Sequence, residues 1–145
     1  MLDAPARRLL DRPGLLGVVC TLRRDGAPQA NPLWFRRAGD QIHIWTDEDR
    51  RWVKNLRRAA QVAFSVHENT SPWASVTIRG TAALTDLASD ETLEEIRRIS
   101  ARYIASDEID AYIEDWPQTR SIVTIRPETV FAAQAFEDPV AHRRP

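Results

Sequence analysis

The chain has 145 residues, 43% of them hydrophobic and 28% charged, with a formal net charge of -1. One domain is expected at this length, large enough to bury a core without disulfide or metal staples. The balanced charge argues against retention on nucleic acid by bulk positive charge, the lone Cys20 excludes an internal disulfide and a multi-cysteine zinc site, and no apolar run reaches the ~18 residues that span a bilayer.

Residues 5–13 read as a short helix stopped by Pro13 and Gly14. Leu15 to Leu22 is an apolar, β-branched run and is predicted as a buried strand, with Cys20 as a small core residue. Arg24-Asp25-Gly26 is a hairpin turn, and Gln29 to Arg37 is the return strand. Pro32 within it implies a bulge or a free edge, because proline lacks an N–H. After a second turn at Ala38-Gly39-Asp40, Gln41 to Thr46 alternates, with Ile42 and Ile44 on one face and His43 and Trp45 on the other.

A helix follows, capped by Thr46 or Asp47, with Val53, Leu56 and Ala60 as its apolar stripe. Val62 to His67 and Trp73 to Leu84 are strands. Ser89 caps a third helix carrying Leu93, Ile96, Ile99 and Tyr103, and Glu108 to Asp115 forms a short fourth. Ser121 to Arg126 is the last strand, bent by Pro127, with a continuation over Val130 to Phe136. Six mostly antiparallel strands with two or three inserted helices favour a mainly β barrel or sandwich occupying residues 1–145, with a frayed tail at 139–145. Met1 to Pro5 hold no apolar signal region, so a cytoplasmic location is expected.

Chemistry concentrates in Arg50-Arg51-Trp52-Val53-Lys54-Asn55-Leu56-Arg57-Arg58, which holds the only lysine of the chain. Such a helix is a solvated face, a phosphate site or a nucleic-acid patch; phosphate suits both arginine forks and helix N-terminal N–H groups. Five tryptophans outnumber the four phenylalanines and the two tyrosines. Trp45 and Trp73 either pack structurally or wall a slot for a flat ring. The histidines (His43, His67, His142) are scattered, so no metal site is expected, and no nucleophile elbow, P-loop or Gly-rich dinucleotide motif is present. An enzyme of this composition needs an organic cofactor for its difficult chemistry.

The ordered set Gly17-Val18-Val19-Cys20-Thr21-Leu22, Asp25 to Phe35, Gly39-Asp40, Ile42-His43-Ile44-Trp45-Thr46, Lys54-Asn55-Leu56-Arg57-Arg58, Val62 to Val66, Pro72-Trp73 and Val76 to Ala82 resembles the pyridoxamine 5′-phosphate oxidase-like split-barrel family, in particular its deazaflavin-dependent reductases. The resemblance implies a six-stranded antiparallel split β-barrel, working as a homodimer with two cofactor sites at the interface. It implies coenzyme F420 as cofactor, or alternatively FMN, and hydride transfer to a small unsaturated or quinone-like substrate; a non-enzymatic flavin- or haem-binding protein is the remaining reading. Neither nucleic acid nor membrane is an expected partner. By the same resemblance the ring lies along Ile44, Trp45 and Thr46, bordered by Gln29, Asn31, Pro32 and Trp34. Arg50, Arg51 and Lys54 are candidates for its phosphate, and Trp73, Ala74 and Ser75 come from the other subunit. One departure stands out. Many relatives carry lysine three positions before the asparagine, where this chain has Trp52; Lys54 is turned from that position by about 200° of helix. No proton donor is evident.

Overall fold

The computed structural model describes residues 1–71, 73–116 and 119–133. The 139–145 tail lies outside them. The elements run α1 (Ala4–Leu10), β1 (Gly17–Leu22), β2 (Pro28–Leu33), β3 (Arg36–Ala38), β4 (Gln41–Asp47), α2 (Arg51–Arg58), β5 (Gln61–His67), β6 (Ser75–Thr85), α3 (Ser89–Ser100), α4 (Ile109–Glu114) and β7 (Arg120–Ala133). The fold is mainly β, a split barrel whose strands pair antiparallel in the order β2-β1-β5-β6-β7-β4-β3.

Seven strands, not six, make the sheet. The expected strand from Gln29 to Arg37 divides at Trp34 and Phe35, and its halves sit on opposite edges. Phe35 is fully buried between them and packs edge-on against Phe64 at 5.1 Å. Burying that ring takes the chain out of β2, so strand pairing is interrupted there. Pro32 lies on the edge strand β2, where a missing donor costs no ladder hydrogen bond.

Two apolar clusters lie on either side of β4. Ile42 and Ile44 join Val19, Phe64, Ile78 and Ile125 in the main core, with α1 and α2 packed on it. Trp45 belongs to a second cluster with Ile96, Ile99, Ile109, Ile113 and Ile122, covered by α3 and α4. β4 is therefore buried on both faces. Cys20 is half-buried rather than a core residue, because Gly17, Val19 and Thr21 take the buried positions of β1.

Helix boundaries depart from expectation where strands run on. α1 ends at Leu10 and is capped by Asp3, whose Oδ1 accepts from the Ala6 N–H at 2.9 Å. β4 continues through Asp47, paired with Arg120, so α2 starts later, with Arg50 at its N-cap and no side-chain cap bond. Ala60 falls beyond α2 and is exposed. Ser89 is the first residue of α3, after an Ala88 N-cap.

β7 runs unbroken through Pro127 by means of a bulge. Arg79 faces Thr129 while Gly80 faces Pro127, which leaves Glu128 unpaired. Gly80 is required there: a Cβ would stand 2.0 Å from the Arg126 carbonyl oxygen. No helix among the described residues is long and apolar enough to cross a membrane.

Candidate functional site

A cleft of about 460 Å³ opens where β2, the end of β4, the start of α2 and α4 converge. β2 contributes Gln29, Asn31, Pro32 and Leu33, followed by Trp34; β4 contributes Trp45 and Thr46; α2 brings Arg51 and Trp52, preceded by Arg50. Leu16, Tyr112 and Trp116 complete the lining.

The polar side is braced from α2. Buried Asn55 donates through Nδ2 to Thr21 Oγ1 at 3.0 Å and to Gln29 Oε1 at 3.1 Å. Gln29 in turn donates to Asn31 Oδ1 at 3.1 Å. The amide row on β2 is thus fixed to the helix that carries the arginines. Neither Arg50 nor Arg51 closes a salt bridge with a described residue. The helix start also leaves the Arg51 and Trp52 N–H groups without an intrahelical acceptor. Cationic forks and free N–H groups together make this end of the cleft electropositive. Asp47 lies just outside; its carboxyl is held below the ordinary range by hydrogen bonds from Thr119 and the Asp49 N–H, with Arg50 and Lys54 adding attraction.

The other side is aromatic. Trp34 stacks on Tyr103 and on Tyr112, each at 4.9 Å between centroids. Trp45 meets Tyr112 edge-on at 6.0 Å and Trp116 at 4.7 Å. Arg50 lies over the Trp116 ring at 5.2 Å. Tyr103 anchors the array: its Oη donates to the Leu15 carbonyl at 2.7 Å and accepts from the Phe35 N–H at 3.2 Å. Burial raises the Tyr103 pKa, which keeps that phenol neutral. Behind the array, buried Glu95 on α3 accepts from Arg36 at 2.8 and 3.0 Å and pairs with His43 Nδ1 at 2.9 Å. Burial pushes its pKa up, but the His43 and Arg36 bonds outweigh that and bring it to about 2.

A family model described as pyridoxamine 5′-phosphate oxidase matches residues 4–134. The chain belongs to the pyridoxamine 5′-phosphate oxidase family. Among solved structures it is similar to an F420 reductase, with 27% identity over 86% of this chain and 94% of that one, at a TM-score of 0.68. It is also similar to a conserved hypothetical protein from Mycobacterium tuberculosis, with 20% identity over 92% and 85% of the two chains and a TM-score of 0.77. A haem-binding protein from Mycobacterium smegmatis shares the fold at 16% identity and a TM-score of 0.66, over 91% of this chain and 54% of that one. No curated protein matches the sequence.

Within this member of the family, Gln29, Asn31, Pro32, Trp34, Trp45, Thr46, Arg50 and Arg51 come together around one cleft. Ile44 does not line it: alternation along β4 turns that side chain into the main core, where it is fully buried. Lys54 lies instead in a hollow of about 400 Å³ with Arg23, Arg24, Asp25, Asn55 and Arg58, and only Arg51 borders both spaces. Trp73, Ala74 and Ser75 do not line their own chain's cleft; Trp73 is exposed and Ala74 packs against the main core.

Tyr112 and Trp116 were not legible as site residues. Tyr112 sits on the six-residue helix α4 and Trp116 lies two residues past its end, and the sequence does not reveal where that segment packs. Trp52 was visible only as the residue occupying the expected lysine position. Its ring lines the cleft while being almost wholly buried in the main core.

Proposed function

We propose that the chain is an oxidoreductase that binds coenzyme F420 in this cleft. The observation carrying the proposal is one wall of four aromatic rings (Trp34, Trp45, Tyr112, Trp116) meeting two guanidinium groups, Arg50 and Arg51, that close no salt bridge with a described residue. A flat ring with an anionic tail matches both halves. The fit is supported by the first N–H groups of α2, which have no intrahelical acceptor and stand beside Arg50 and Arg51, where an anionic tail is suited. The 27% identity to an F420 reductase supports the deazaflavin over FMN. Among the described lining residues there is no histidine, cysteine or methionine, and Tyr112 is the one side chain of a haem-ligating type.

When bound, the coenzyme supplies hydride chemistry at its ring. The chain's residues do the rest. Arg50, Arg51 and the first N–H groups of α2 hold the anionic tail. Gln29 and Asn31, locked by Asn55, would present a fixed row of amides to the bound group. The aromatic wall excludes water from the reacting face and orients a small unsaturated or quinone-like substrate. As in the family's homodimers, we assign Trp73, Ala74 and Ser75 to a partner's cleft; the exposure of Trp73 supports that role.

The test is a titration of the protein with F420 and with FMN, read by tryptophan fluorescence. Four of the five tryptophans line the cleft, so ring binding must quench them. Micromolar or tighter F420 binding with weaker FMN binding supports the proposal. A preference for FMN replaces the coenzyme, and binding of neither removes the redox function.

A further inference from the structure

Two tyrosines flank Trp34, and their hydroxyls differ. Tyr103 spends its phenol on backbone groups of Leu15 and Phe35. The Tyr112 hydroxyl makes no hydrogen bond to any described residue, although the side chain lines the cleft. Phenylalanine would stack on Trp34 as well; a phenol beside an aromatic slot is useful only when its O–H finds a partner. A second, independent observation concerns Trp45. It is 7% exposed and lines the same cleft, and its Nε1–H is buried without an acceptor. The two rings meet edge-on at 6.0 Å. One aromatic wall thus carries two neutral donors for which the described chain provides no acceptor. The cationic donors sit apart at the start of α2, where they suit an anion. Neutral O–H and N–H donors suit a neutral acceptor oxygen.

We infer that Tyr112 and Trp45 together bind the acceptor oxygen of the substrate, which makes carbonyl- or quinone-bearing flat molecules the preferred class. The inference rests on reading the cleft as the redox site proposed above. A plain hydrocarbon ring of the same shape fills the slot but leaves both donors unpaired, and a site built to hydrogen-bond an oxygen rejects the analogue lacking it.

The experiment compares acetophenone with ethylbenzene, which differ in one acceptor oxygen. Both are titrated into ¹⁵N-labelled protein saturated with oxidised deazaflavin coenzyme, and again without coenzyme, with binding followed by NMR. The wild type is expected to prefer acetophenone, which moves the Trp45 indole N–H resonance downfield while ethylbenzene does not. Tyr112→Phe is expected to weaken acetophenone by about fivefold, the size of one neutral hydrogen bond, and to leave the ethylbenzene affinity unchanged. The inference is overturned if acetophenone does not bind the wild type, if Tyr112→Phe weakens both rings alike, or if the Trp45 resonance is indifferent to the oxygen. It is also overturned if the preference exists only without coenzyme, since the donors then face the coenzyme. Loss of coenzyme binding with the oxygen preference intact refutes the F420 reading and upholds the donor pair.

Discussion

Arg50 rests over the Trp116 ring, and Arg51 stands at the first position of α2 bordering both the cleft and the hollow that holds Lys54. Because neither is tied to a carboxylate, an incoming anion displaces no ion pair. Replacing both with alanine is expected to weaken F420 binding by about tenfold or more and to flatten its salt dependence. An unchanged affinity and salt slope, measured by fluorescence titration, would remove the anion role. Glu95 makes the opposite case, a buried carboxylate bonded by Arg36 and His43, with Arg98 at 3.5 Å. Its folded pKa lies at about 2 against an ordinary 4.5, so its contribution is complete above pH 4.5 and is lost as the pH falls toward 2. Glu95→Gln is expected to cost about 3 kcal/mol at neutral pH, with the gap from wild type shrinking as the pH drops through that window. Urea unfolding at several pH values measures it; a gap independent of pH would contradict the assigned pairing. The arginines were legible because charge clusters show in the chain. Glu95 was not, since His43 and Arg36, the partners that bury it, lie 52 and 59 positions away.

At the scale of elements, the hairpins and the alternation of β4 and β5 were legible from period-two patterns and turn residues such as Gly26, whose φ of 83° suits glycine. The division of the strand after Leu33 was not, because burial of Phe35 is a tertiary event that overrides a continuous β pattern. The β7 bulge was half legible. Pro127 announced a bend, but the close approach that keeps Gly80 as glycine depends on register between residues 47 positions apart. Gly80→Ala is expected to destabilise the protein by about 2 kcal/mol, since the Arg126 backbone must move. Calorimetry should show a melting point lower by roughly 8 °C. An unchanged melting point would mean that the bulge relaxes freely.

For the whole molecule, Trp73 and Phe131 are large apolar side chains left at 43% and 55% exposure. If a second copy covers them and completes the cleft, the protein sediments at twice its chain mass of 16.5 kDa. Phe131→Glu is then expected to shift it toward monomer at micromolar concentration and to lower F420 affinity in parallel. Analytical ultracentrifugation and the same fluorescence titration check the pair of outcomes. A monomeric wild type that binds coenzyme at full strength would separate the site from assembly.

The two strands flanking Trp34 and Phe35 form opposite edges of the sheet, yet only two residues join them. Leu33 and Arg36 are three peptide steps apart, a reach of at most about 11 Å. The connection is a covalent strap across the split in the barrel, pinned at Phe35 inside the core. One end of the cleft therefore has a gauge set by bond lengths, whatever enters it. Adjustment of its width falls to the stretch carrying Tyr112 and Trp116, whose positions lie outside the interstrand ladder. Under the proposed function, substrate range would drift through changes in that stretch while the strands and helix that line the rest of the cleft keep their spacing.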